Sequence, residues 1–330
     1  CPRCQFVTPV TRVRIQAQRK GGLSTRMIAV VTRRANARGL SYRSPTHQDL
    51  VAAEQAESEL RQREAAHTGP LSLVPNEPVP VMSGVFNAPI YGLTDWSKYF
   101  TSRQALALSA FSQAVKKSYD SLLEEEDPAF ARAVATTLAL AVDRSADYWS
   151  TLCVFSGSFI AHTFGRQALP MVWDFAEANP FSGATGDWDG AINWIERVCR
   201  NVARAQMHAG EAMMADARSL PLPDATADYV FTDPPYYNAV PYADLSDFFY
   251  VWLRRSIGDL YPELFGTDLV PKGGEIAEMA YWDPVRYPEK DKSFFESEMR
   301  SALIESKRVL SPHGVAVVVF AHKTTAGWEA

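Results

Sequence analysis

Four consecutive residues, Asp233, Pro234, Pro235 and Tyr236, have the types and spacing that chemistry on an amino group would need. A carboxylate and the next carbonyl can each accept one N–H of a planar exocyclic amine. With both hydrogens held, the nitrogen lone pair is aimed toward a methyl donor for in-line displacement. Proline has no backbone donor and a nearly fixed φ, so two of them keep the acceptors pre-aimed. Tyr236 adds a flat face on which an extruded base can stack. The plainer alternative is a proline-stiffened turn in which Asp233 serves as a local cap.

The elements around this tetrad must place it. Tyr229, Val230 and Phe231 form a short apolar run that predicts a buried strand. The tetrad would then stand at the strand's carboxyl end, where open α/β sheets bind ligands. Past Ala243 the period changes, and Leu245, Phe248, Phe249 and Trp252 fall on one face of a helix. Near the end, Val315 to Phe320 reads as a central parallel strand, apolar on both faces. It follows a helix from Lys292 to Leu310 and a turn at Ser311 to Gly314, and His322 and Lys323 would rim the site.

Other segments supply a frame. Met27 to Val31 reads as a strand, with turns at Gly21-Gly22 and Gly39, so residues 1–44 look like a small β-rich module. Helices are expected from Thr46 (the N-cap) to Ala66 and from Thr101, with Gln104 as its capping-box partner. Two more follow, one from Asp127-Pro128 to Arg144 and one from Trp188 to Ala205. Five prolines make residues 68–98 an irregular connector. The run FSGSF, from Phe155 to Phe159, has one glycine and no acid ahead of it, so it does not read as a cofactor loop. Glu177 could accept both hydroxyls of a ribose, or simply cap a loop. Gly210 to Asp216 reads as a strand ending in an acid. Residues 256–292 form a Gly- and Pro-rich excursion with interleaved aromatics, suited either to stacking on an unpaired strand or to packing itself down.

Composition narrows the class. Of the 330 residues, 47% are hydrophobic and 22% charged, as in globular proteins, and no apolar run is long enough to span a bilayer. Net charge is −5, yet residues 1–48 hold ten basic side chains and no Asp or Glu. A basic lobe on an acidic body suits contact with phosphate. Cys1 and Cys4 form a C-x-x-C knuckle, half of the four ligands a structural zinc needs. Cys153 and Cys199 read as apolar thiols, a pattern that fits a reducing cytoplasm.

TDPPY resembles the D/N/S-P-P-Y/F/W motif of amino-methyltransferases acting on adenine or cytosine. The longer string YYNAVPYADLSDFFYVWLRR is similar, more narrowly, to the large adenine-specific DNA methylases that carry a zinc ribbon. CPRC, YGLTDWSKYFTSRQALAL, FGRQALPMVWDFAEANPF and RVLSPHGVAVVVFAHK extend the likeness over most of the chain. The resemblance implies a Rossmann-like methyltransferase sheet, incomplete here, in residues 151–330. A zinc-ribbon-like module would occupy residues 1–44, and an inserted helical region residues 45–150. It implies S-adenosylmethionine as methyl donor, DNA as partner, and adenine before cytosine as target. Asp216 would hydrogen-bond the adenine of the cofactor. The family's glycine loop and second cysteine pair would lie upstream of Cys1, so the expectation is a catalytic-core piece. Methylation of RNA or of a protein amide, and a non-catalytic nucleic-acid-binding module, remain the alternatives.

Overall fold

A computed structural model of the chain describes residues 4–33, 39–205 and 208–321. The described chain is mixed α/β, with long helices and three small two-stranded sheets. It divides into two compact units. One comprises Cys1–Gln206 and Ser246–Leu269, the other Met207–Leu245 and Val270–Ala330. No described helix is long and apolar enough to cross a membrane.

The first unit opens differently from the β-rich module expected of residues 1–44. Val10–Arg19 is a helix, α1, and among the described residues there the strands are β1 (Val30–Thr32) and β2 (Ser41–Arg43), paired antiparallel. The reason lies at Ala17, which is buried against the segment Ala88–Gly92. A Cβ on Gly92 would stand 2.7 Å from the Gly22 nitrogen and 3.0 Å from the Ala17 carbonyl, and its φ is +87°. Only glycine permits this approach. Local periodicity in a helix with three arginines gave no hint of that docking.

The expected long helices form: α2 (His47–Ala66), α3 (Ser102–Glu125), α4 (Pro128–Tyr148) and α5 (Trp188–Arg204). Thr46 with Asp49, and Thr101 with Gln104, close reciprocal capping boxes, each contributing about 1 kcal/mol. Asp127 caps α4, which runs a turn beyond the expected Arg144. FSGSF becomes a tight hairpin between β3 (Val154–Phe155) and β4 (Ile160–Ala161), with Gly157 at φ +82°.

The core of this unit is aromatic. Trp96, Tyr99, Phe100, Phe248 and Trp252 are buried and meet edge-on or tilted, at ring separations of 5.2 to 5.8 Å. Phe248 and Trp252 sit on α6 (Tyr242–Ile257), on the apolar face read from the sequence. The far end of α6 is pinned by Arg255. Its guanidinium donates to Glu77 Oε1 at 2.9 Å, to the Ser72 carbonyl at 2.8 Å and to Ser72 Oγ at 2.7 Å. Burial pushes the Arg255 pKa down, and Glu77 pulls it back up.

The second unit holds a parallel strand pair, β5 (Ala227–Thr232) with β6 (Leu310–Val318). Ala227 pairs with Leu310 but Tyr229 with Val315, so the expected turn at 311–314 is absorbed as a bulge within β6. Helix α7 (Lys292–Val309) leads into β6. Its Glu305 accepts the Leu220 N–H at 2.7 Å, and Arg308 donates to Asp224 and to the Leu222 carbonyl. Two expectations fail. Residues 208–216 form no strand, and Asp216 makes only an isolated bridge to Ser219. The apolar strands are not buried either: Tyr229 is 79% and Phe231 74% exposed, and Val315, Val317 and Val318 are exposed too. Two strands cannot cover their own faces, whatever their composition.

Removing one partner of a buried ion pair strands the other charge. Glu77→Ala should therefore lower stability by about 3–5 kcal/mol in urea unfolding. Adding Arg255→Met should restore a large part of it.

Candidate functional site

The tetrad follows directly on β5, as its sequence position suggested. Val319 N–H donates to the Thr232 carbonyl at 2.8 Å, which carries the parallel pairing to the edge of the tetrad. Asp233 is exposed, and Pro234, Pro235 and Tyr236 are half-buried. The Tyr236 hydroxyl donates to Asp233 Oδ1, and this bond raises the phenol's pKa. The Pro234 carbonyl accepts no backbone hydrogen bond among the described residues. Tyr242, at the start of α6, also feels Asp233. Partial burial raises its pKa first, and the carboxylate adds to that.

Tyr237 holds the bend. It is one of three described non-glycine residues with positive φ, at +51°. Left-handed backbone in a bulky residue costs about 1–3 kcal/mol and persists only where the surroundings enforce it. Here they do. Its buried ring lies 4.3 Å from that of Phe295, and its hydroxyl donates to Glu296 at 3.0 Å. Burial, then Glu296, pushes its pKa up to about 12. Its carbonyl accepts the Glu278 N–H at 3.1 Å. Tyr237 is thus turned inward while its neighbour Tyr236 stays at the open edge, edge-on to Phe320 at 5.3 Å. Sequence reasoning passed over Tyr237; a second aromatic directly after the motif was the available signal.

The excursion packs itself down onto this bend. Trp282 Nε1 donates to the Asn238 carbonyl at 2.9 Å, and Glu275 caps α6 by accepting the Ala243 N–H at 2.9 Å. Asp244 has no exposed surface. It accepts from Arg286 at 2.9 Å and from the Tyr287 hydroxyl at 3.0 Å. Arg286 also pairs with Asp283 at 2.6 Å, so this partly exposed guanidinium is answered by two carboxylates of the protein. Lys290, 1% exposed, donates to the Lys272 and Glu275 carbonyls.

The two acids expected to contact the cofactor, Asp216 and Glu177, both pair with arginines. Asp216 accepts from the Arg218 backbone at 2.9 Å and from its guanidinium at 2.8 and 2.5 Å. These bonds hold its carboxyl down to about 2. Arg218 in turn pairs with Glu298. Glu177, in the first unit, is bound to Arg103 at 2.8 Å. Each of these carboxylates is thus answered by an arginine of the protein, and the strand expected to present Asp216 does not form.

Cys4 is an exposed free thiol, and Cys1 lies outside the described residues, as do His322 and Lys323. Among the described residues, no three His, Cys, Asp or Glu side chains converge as a metal site. Cys153 is buried as expected, with its thiol pKa raised by burial, but Cys199 is exposed on α5. No protein-family model, curated protein or solved structure matches the chain.

If Tyr237 anchors the bend through its ring, Tyr237→Ala should cost about 3–5 kcal/mol in chemical denaturation. Tyr237→Phe, which keeps the ring and removes the hydroxyl's bond to Glu296, should cost about 1 kcal/mol.

Proposed function

We propose that this chain supplies the acceptor side of an amino-methyltransferase, with adenine in DNA as the first candidate substrate. What carries the reading is the Asp233–Tyr236 corner: an exposed carboxylate and an uncommitted proline carbonyl, one residue apart, directly after a parallel strand. In this reading β5 and β6 are neighbouring strands of a Rossmann-like sheet. The corner then stands where such sheets bind ligands.

Asp233 and the Pro234 carbonyl each take one hydrogen of the exocyclic amine. That leaves the nitrogen lone pair as the free direction of attack. Pro235 keeps the two acceptors from swinging, and the Tyr236 ring stacks on the swung-out base. The Tyr236 hydroxyl now occupied with Asp233 Oδ1 must share or yield that oxygen when the amine arrives. The resemblance of TDPPY and its flanks names S-adenosylmethionine as the donor. The described residues contribute the acceptor half alone.

The test is the methylated-base content of DNA from a methylation-deficient bacterial host expressing the gene that encodes this chain. Mass spectrometry of digested DNA should show N6-methyladenine with the wild-type gene. With Asp233→Ala the signal should fall by about two to three orders of magnitude, the usual cost of removing a preorganised transition-state contact. Unchanged methyladenine in the variant would refute the role of Asp233. Methylcytosine in its place would move the substrate and leave the chemistry.

A further inference from the structure

A cavity of about 390 Å³ lies in the first unit, lined by Arg14, Asn87, Tyr91, Met171 and Trp173 among others. Its size falls in the range of ligand sites. Three segments frame it, and each is fixed. The floor is the stretch from Ser83 to Tyr91, with Phe86 fully buried beneath it. One wall is α1, held by Gln18 Nε2 donating to the Ile90 carbonyl at 3.2 Å and by the close approach of Gly22 to Gly92. The other is the run from Pro170 to Trp173, set in place where Leu169 N–H donates to the Val85 carbonyl at 2.9 Å.

The lining combines an aromatic platform with an unpaired cation. Trp173 meets the buried Tyr91 ring in a T-shaped contact at 5.2 Å and is itself 59% exposed, which leaves much of its surface to solvent. The Arg14 guanidinium rests 5.3 Å from the Tyr91 ring centre, and its Nε donates to the Tyr91 hydroxyl at 3.4 Å. No carboxylate lines the cavity, and Arg14 forms no ion pair among the described residues. Residues 1–48, to which the α1 wall belongs, hold ten basic side chains and no Asp or Glu. A segment so uniformly basic suits a polymer of phosphates better than a single small anion.

We propose that this groove binds single-stranded DNA, with a base stacked on Trp173 and the adjoining phosphate paired to Arg14. Open rings with cations between them are how sequence-tolerant single-strand sites are built. The groove belongs to the first unit and uses no residue of the Asp233 corner. It extends the DNA reading proposed above without relying on methyl transfer.

The experiment is fluorescence anisotropy of a short fluorescein-labelled oligothymidylate titrated with the whole chain, without methyl donor, over a series of salt concentrations. Wild type should bind with affinity that falls steeply with salt. Trp173→Ala should weaken binding by roughly 5- to 100-fold with little change of salt slope. Trp173→Phe should recover most of that loss. Arg14→Ala should make the log–log salt slope shallower by about 0.7, the value for one lost phosphate contact on a single strand. Unlabelled polyglutamate, which has charge but no rings, should compete poorly. No binding by wild type, wild-type affinity in both alanine variants, or displacement by polyglutamate as effective as by oligothymidylate would overturn the proposal. Binding that depends on Trp173 in a protein yielding no methylated base would keep the groove and discard the methyltransferase reading. The reverse pattern would do the opposite.

Discussion

A carboxylate stripped of all water, that of Asp244, is the constraint on which the second unit turns. Burying such a charge costs several kcal/mol unless fixed donors answer it. Arg286 and the Tyr287 hydroxyl do so, and both come from the excursion that follows α6 by some thirty residues. The first turn of α6 can therefore form in its buried place only when the excursion is folded over it. Glu275 then caps the helix, Trp282 and Glu278 bond the chain at Asn238 and Tyr237, and the left-handed bend is locked. The corner's shape is thus imposed from behind, by residues with no part in its chemistry.

The first unit shows a parallel economy at the other end of α6. Arg255 spends its donors on Glu77, Ser72 and a carbonyl of its own helix. That fastens an irregular, proline-rich connector to a helix made rigid by Phe248 and Trp252. With the connector so fixed, the segment from Ser83 to Gly92 can serve as a floor for α1 and for the Pro170–Trp173 run. The groove with its exposed indole follows from that arrangement. In both units a guanidinium bonded to a buried carboxylate ties loop to helix, and the exposed functional candidates sit on the loop side.

Much of the helical framework was legible because its signals are local. Thr46 with Asp49, Thr101 with Gln104 and Asp127 before Pro128 announce helix starts through bonds spanning two or three residues. The helical face of Phe248 and Trp252 likewise needs only the 3.6-residue period. Where the reading failed, partners remote in sequence took part. α1 is stabilised by a glycine seventy-five residues away from Ala17, and where a strand was expected for Gly210 to Asp216, Arg218 bonds both Asp216 and the distant Glu298. Tyr229–Phe231 and Val315–Phe320 were each legible as strands, the second as a parallel one, yet pattern alone could not reveal that they pair with each other or that their faces stand exposed.

For the candidate site the division is similar. Asp233, Pro234, Pro235 and Tyr236 as a stiff pair of acceptors beside a ring were determined by the sequence itself. Side-chain chemistry and the proline ring's hold on φ are properties of the residues and need no neighbours. Which partner Glu177 and Arg218 would find was decided by tertiary structure, since Arg103 and Glu298 reach them from about seventy-five and eighty residues away. Asp216 and Glu177 were claimed by Arg218 and Arg103, while Tyr237, unremarked in the sequence, became the hinge of the bend because Phe295 and Glu296 were waiting for it.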